Sequence, residues 1–256
     1  MNKSIIWPLF FYFCNAHAYE SSLSLKAHKA QENIAIDGSG REKSWQLATW
    51  NPLNELILGV MPTAEDFSGR FKILWDEKQL YLLVEITDDV LFDQHANPLN
   101  LYWDDDTLEV FIDEDASGGN HQFNFNAFAY HIALDNQVVD IGPNNKDGST
   151  NFVLLNDHIK SIWRRSANEP NNIIWEVAIS VYGSNFKLSA AQDKKLAKPV
   201  NLTLGKTLGF MLAYCDNDGS IERESFIGST NIKAVNGEKN LGYITADVFQ
   251  KLQLIK

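Results

Sequence analysis

The chain has 256 residues, 45% of them hydrophobic, and a formal net charge of −11 from 33 acidic and 22 basic side chains. A surface of that sign repels nucleic acid and anionic bilayers, so neither is expected as a partner. With only Cys14 and Cys215, the chain has no disulfide framework, and its stability must come from a packed core.

The first segment carries Lys3, an apolar run from Ile5 to Cys14 and then Ala16-His17-Ala18. A basic start, a short apolar stretch and an A-x-A site are the order of a secretory signal, so residues 1–18 are expected to be removed on export to the periplasm or medium. The run is too short to span a bilayer, which takes about 20 residues. Cys14 lacks the small residues that precede a lipidated cysteine.

Short alternating runs then recur. In RFKILW, Phe71, Ile73 and Trp75 share a face, and in LYLLVEIT so do Leu80, Leu82, Val84 and Ile86, with Glu85 opposite. In TLEVFID, Leu108, Val110 and Ile112 oppose Glu109 and Phe111. HQFNFNAFAYHIAL reads as the next strand, with Gln122, Asn124 and Asn126 on its polar face; IIWEVAIS and LGFMLAYC add two more. Turn residues separate the runs at Asp76–Lys78, Ser117–Gly119, Pro143–Gly148 and Glu169–Asn171, and only residues 189–198 read as a helix. Period-two patterning with polar faces and turns at this spacing predicts an all-β, two-sheet antiparallel β-sandwich in one domain over residues 19–256.

The stretch YWDDDTLEVFID concentrates the chemistry. On an unbroken strand Trp103 and Glu109 point to one side, and Asn124 and Asn126 of the next strand could converge on the same patch. An indole stacks on the apolar face of a pyranose, while a carboxylate accepts and amides both donate and accept hydroxyl hydrogen bonds. The plainer reading packs Trp103 in a loop core and leaves the amides facing water. Asp104, Asp105 and Asp106 are either solvated turn acids or ligands of a calcium ion, which favours clustered carboxylates. Asp216 and Asp218 in DNDGSIERE form a second candidate loop without full EF-hand spacing, and the acids at Asp37 and Asp88 are weaker ones.

His121 and His131 have no metal spacing with Cys215 or with each other and are assigned to solvent or a polar network. Trp45, Trp75 and Trp175 are assigned to the core. No G-x-S-x-G, Gly-rich phosphate loop or H-E-x-x-H occurs.

The order IAIDG, Trp45, FKILWDEKQLYLLVEITDD, WDDDTLEVFIDED, IIWEVAIS, LGFMLAYCDNDG and NLGYITADVFQKLQL resembles the family 9 carbohydrate-binding modules over about residues 32–254. The resemblance implies a sandwich that binds mono-, oligo- or polysaccharide, commonly at a reducing chain end, with structural calcium. It places the family's stacking tryptophan on Trp103 and its strand glutamate on Glu109. Its Arg-x-Asn pattern falls on Asn124-Phe125-Asn126, where the Asn matches and the Arg does not.

A second clamp tryptophan late in the chain is absent. Its place falls near Thr230, so Tyr102 or Phe226 fills in or the site is open on one side, and reducing-end specificity does not carry over. The expectation is an exported, non-catalytic sugar binder acting alone or beside separate glycoside hydrolases. Two alternatives stand: a glycoside hydrolase pairing Glu109 with one of Asp104–Asp106, and a haem-binding sandwich using Met61 or Met211 with His121 or His131, without a C-x-x-C-H.

Overall fold

A computed structural model describes residues 24–169, 171–188 and 198–256. The expected signal segment, and all of the helix expected at 189–198 except Lys198, lie outside these residues. No helix among the described residues is long and apolar enough to cross a membrane.

Strands β1 (Leu25–Lys29), β2 (Asn51–Leu53), β3 (Glu55–Gly59), β4 (Phe67–Trp75) and β5 (Leu80–Asp88) form the first half of the order. After them come β6 (Thr107–Asp113), β7 (Phe128–Ala133), β8 (Val138–Gly142), β9 (Asn151–Leu154) and β10 (Ile159–Arg165). The chain closes with β11 (Asn172–Ile179), β12 (Thr207–Asp216), β13 (Ser225–Gly228) and β14 (Gln250–Ile255).

The architecture is the expected all-β sandwich, with one refinement. The hydrogen-bonded path β10-β11-β5-β4-β1-β14-β12-β6-β7-β8-β9 is continuous. Strand β1 runs parallel to both β4 and β14 and stitches the two layers together. All other ladders are antiparallel, and β2, β3 and β13 sit off the main path.

Between the layers lies the main core, in which Leu82, Val84 and Ile86 of β5 meet Leu108, Val110 and Ile112 of β6. Trp75 and Trp175 are buried as expected, and their ring N–H groups find acceptors at Ile255 O, 2.8 Å, and Ser161 Oγ, 2.5 Å.

The sheet faces are more covered than alternation suggests. Tyr81 and Leu83 on the outer face of β5 are buried under Ile34, Ile36 and Trp45. The covering segment is anchored by Glu176, whose carboxylate accepts from the backbone N–H groups of Asp37, Gly38, Ser39 and Gly40. Every residue of β6 is buried, because Phe111 on its second face packs with Met211, Phe226 and Ile232 in a small outer core.

The stretch read as one strand from His121 departs most. Ladder pairing begins only at Phe128, and residues 121–127 form turns. Asn124 Oδ1 accepts from Asn126 N at 2.8 Å, and Asn126 Nδ2 donates to Gly118 O at 2.8 Å. These local amide bonds compete with ladder pairing and hold a loop.

Candidate functional site

Leu101 adopts a left-handed backbone, φ 50°, and starts a 3-10 turn at Tyr102–Asp104. The turn buries Tyr102 and leaves Trp103 half-buried. Tyr102 meets Trp103, His131 and Phe152 edge-on at ring-centre distances of 5.0, 4.5 and 5.4 Å. Trp103 also leans on Phe152 at 5.9 Å. The indole is therefore braced from behind and from the side.

Glu109 sits in the middle of β6, opposite His131 on β7 and Ala213 on β12. Its Oε1 accepts from three sides: His131 Nε2 at 2.6 Å, Cys215 Sγ at 3.0 Å and Arg223 Nη1 at 3.4 Å. Arg223 Nη1 also lies 3.0 Å from Cys215 Sγ, and its guanidinium covers the Phe226 ring at 4.4 Å. Burial alone would push the Glu109 carboxyl up, but the His131 ring and the Arg223 guanidinium outweigh it and hold it below its ordinary value. Burial and the Glu109 charge push the Cys215 thiol well up, so it stays protonated and donates.

These groups form one end of a pocket of about 340 Å³. Trp103, Tyr102 and Phe152 supply aromatic surface, and so do Phe123 and Tyr243. Gln122, Thr150 and Asn240 add polar groups. Among the residues lining this pocket, Glu109 is the one carboxylate.

Of the sequence-derived candidates, Tyr102, Trp103 and Glu109 come together here. Asn124 and Asn126 do not line the pocket, because the loop that contains them spends their amides on its own backbone. The strand position facing Glu109 belongs to His131, and the guanidinium beside Glu109 comes from Arg223, 114 residues away in sequence. Of the two places considered for His131, solvent or a polar network, the structure has the network: His131 and Cys215, which lack metal spacing in the sequence, both touch Glu109 Oε1. No spacing in the sequence announces Arg223, which falls in a loop whose acids drew attention to cations.

Of the residues considered for the place of the late tryptophan, Tyr102 lines the pocket beside Trp103, whereas Phe226 is buried in the outer core and Thr230 does not line the pocket.

The acidic loops resolve into distinct roles. Asp104 Oδ1 accepts from Arg223 N, and Asp105 accepts from Gln94 N and His95, so both serve as loop ties. Asp106 instead joins Asp88 and Asp216, all three buried, with ligand oxygens within 4.8 Å of one another. Asp218 belongs to adjoining sets with Asp66 and Asp216 and with Asp88 and Asp89. Burial pushes Asp106 up to about 9, Asp216 to about 7 and Asp88 to about 6.

Asp88 Oδ2 accepts from the Tyr214 hydroxyl at 2.6 Å, while its Oδ1 is buried with no hydrogen-bond partner. Clustered carboxylates with an orphaned buried oxygen fit a hard cation such as calcium, which takes oxygen ligands.

The other chemistries lose their geometry. Asp104–Asp106 are tied elsewhere and leave Glu109 without a carboxylate partner in the pocket. Met211 is wholly buried in the outer core, Met61 is exposed after β3, and His121 Nε2 is bonded to Gly242 O at 2.8 Å.

Residues 36–256 match the carbohydrate family 9 binding domain-like family. Among curated proteins, an endo-1,4-beta-xylanase A of Thermotoga neapolitana is 32% identical over 68 residues, 25% of this chain and 6% of that enzyme. An exoglucanase XynX of Acetivibrio thermocellus is 26% identical over 100 residues, 39% of this chain and 9% of that protein. The chain thus matches only a small part of these relatives' length.

Among solved structures, a family 9 carbohydrate-binding module from Caldicellulosiruptor kristjanssonii in complex with cellotriose superposes with TM-score 0.61 at 17% identity, covering 90% of this chain and 93% of that one. A putative carbohydrate-binding protein from Bacteroides uniformis gives 0.54 at 12% identity, covering 90% and 98%. At these identities the likeness is one of fold. With the family match spanning nearly all the described residues, the chain belongs to the carbohydrate family 9 binding domain-like family.

Proposed function

We propose that this protein is an exported sugar binder whose ligand occupies the Trp103 pocket. The observation that carries the reading is the pairing of a braced, half-buried indole with a fixed carboxylate–guanidinium group in one pocket of about 340 Å³. Trp103 offers a flat apolar surface to the C–H face of a sugar ring. Glu109 Oε1 is saturated by three donors, and Oε2 is the carboxylate oxygen left to accept from a hydroxyl in the pocket. Arg223 supplies the complementary donors. Phe123 and Tyr243 take the place of a second tryptophan as further apolar surface.

Calcium in the Asp88–Asp106–Asp216 cluster is a structural element of this reading, and residues 1–18 are a cleaved export signal. The protein would act alone or beside separate hydrolases. Glucose and cellotriose are the first probes, because they are the ligands of the superposable family 9 structures.

Calorimetric titration of calcium-loaded protein with both, and with xylo-oligosaccharides, tests the reading together with a reducing-sugar release assay. Saturable binding without turnover is expected. Absence of binding to every sugar, or turnover lost in Glu109→Gln with binding retained, overturns it.

A further inference from the structure

The acidic cluster and the pocket share two segments of chain, to which the cluster adds Asp88 from the end of β5. In the first, Trp103 lines the pocket, Asp106 enters the acidic cluster, and Glu109 follows on β6. In the second, Cys215 touches Glu109, its neighbour Asp216 enters the cluster, and Arg223 returns to the pocket.

Asn217 fastens the loops to each other. Its N–H donates to Asp106 Oδ1 at 2.8 Å and its Nδ2 to Asp104 O at 2.6 Å. Asp104 Oδ1 in turn accepts from Arg223 N at 3.2 Å. The spacing between Asp106 and Asp216 therefore sets where Trp103, Cys215 and Arg223 stand.

We propose that cation occupancy of the Asp88–Asp106–Asp216 cluster raises the affinity of the Trp103 pocket for sugar, the two sites being coupled through residues 102–106 and 215–225. The proposal rests on the sugar and cation readings above and adds a free-energy link between them. Ionising all three buried carboxyl groups, whose oxygens lie within 4.8 Å, sets like charges side by side, and a cation offsets that repulsion and draws them together. That contraction fixes the two loops at the one separation in which Trp103 and the Arg223–Glu109 pair face a common ligand. The buried, unpartnered Asp88 Oδ1 is the independent sign that the cluster is made to hold something.

Linkage makes the test reciprocal. Couplings of ordinary size correspond to roughly 5–150-fold in affinity, and each ligand must change the other's affinity by the same factor. Cellotriose is titrated calorimetrically into chelated and calcium-reloaded protein, with circular dichroism confirming that both are folded. Calcium is then titrated with and without saturating cellotriose. The expected result is at least about fivefold tighter cellotriose binding with calcium, mirrored in the calcium titration.

Equal cellotriose affinity in both forms overturns the coupling while leaving both sites standing. Calcium that does not bind overturns the cation reading and the coupling with it, and cellotriose that does not bind the calcium form overturns the sugar reading and the coupling. Where chelation unfolds the protein, Asp218→Asn at limiting calcium replaces the chelated sample. Asp218 is exposed, so the change weakens the cation site without emptying a buried position. Cellotriose should then tighten calcium binding by the same factor, and no such effect again overturns the coupling.

Discussion

Glu109 Oε1 and His131 Nε2 lie 2.6 Å apart on directly paired positions of β6 and β7. With Arg223 on a third side, the carboxylate is buried yet held charged. Glu109→Gln should therefore act on the fold as well as on the ligand. Breaking a buried charge pair costs about 3–5 kcal/mol, and losing a charged hydrogen bond to a sugar about 1.5–3 kcal/mol of affinity. Because the folded carboxyl titrates below its ordinary value, its contribution is present above the unfolded pKa and lost as pH falls through the folded one. Urea melts at about pH 7 and about pH 3 should show the wild type losing its advantage over Glu109→Gln on acidification. An unchanged difference would remove the charge from the account.

Trp103→Ala separates platform from core. Trp103 is half-buried, and its ring contacts with Tyr102 and Phe152 should contribute about 0.5–1.5 kcal/mol each. Trp175, fully buried, should cost about 3–5 kcal/mol on the same change. Sugar affinity is expected to vanish in Trp103→Ala and to persist in any Trp175→Ala protein that folds. A Trp103→Ala protein that melts like the core variant would place the indole in the scaffold instead.

Asn124→Ala and Asn126→Ala test the loop assignment. Both amides bond within the 118–126 region, so each change should cost roughly 0.5–1.5 kcal/mol of stability and leave sugar affinity unchanged. A tenfold loss of affinity in either variant would mean that the loop reaches the ligand.

Asp140 titrates in the opposite sense to Glu109. Burial pushes its carboxyl up to about 7, even though the N–H groups of Ile141 and Ala129 favour the charged form. A raised acid makes the folded state hold the proton more tightly, so stability falls as pH rises from the unfolded value of about 3.9 through the folded one. Asp140→Asn should flatten this part of the stability curve. Thermal melts at intervals across that window compare the slopes, and parallel curves for the two proteins would contradict the assignment.

The sequence by itself determined the class of fold, because strand alternation is a local property. Leu82, Val84 and Ile86, like Leu108, Val110 and Ile112, reach the core that their period-two spacing assigns them. It also marked Trp103 and Glu109, since both lie in one short segment whose strand geometry is nearly fixed.

What tertiary structure decided was every group brought to them across the sheet. His131 meets Glu109 through β6–β7 register, and that register depends on the strand starting at Phe128 rather than at His121. Arg223 and Cys215 arrive through the pairing of β12 with β6, which brings them to Glu109 across 114 and 106 residues of chain. Asp88, Asp106 and Asp216 form one cluster because the ends of β5 and β12 meet the entrance of β6. Side-chain periodicity carries no information about which strands become neighbours. Burying two sheet faces at once decides that, and it selects among the many acids in this chain the few that share a site.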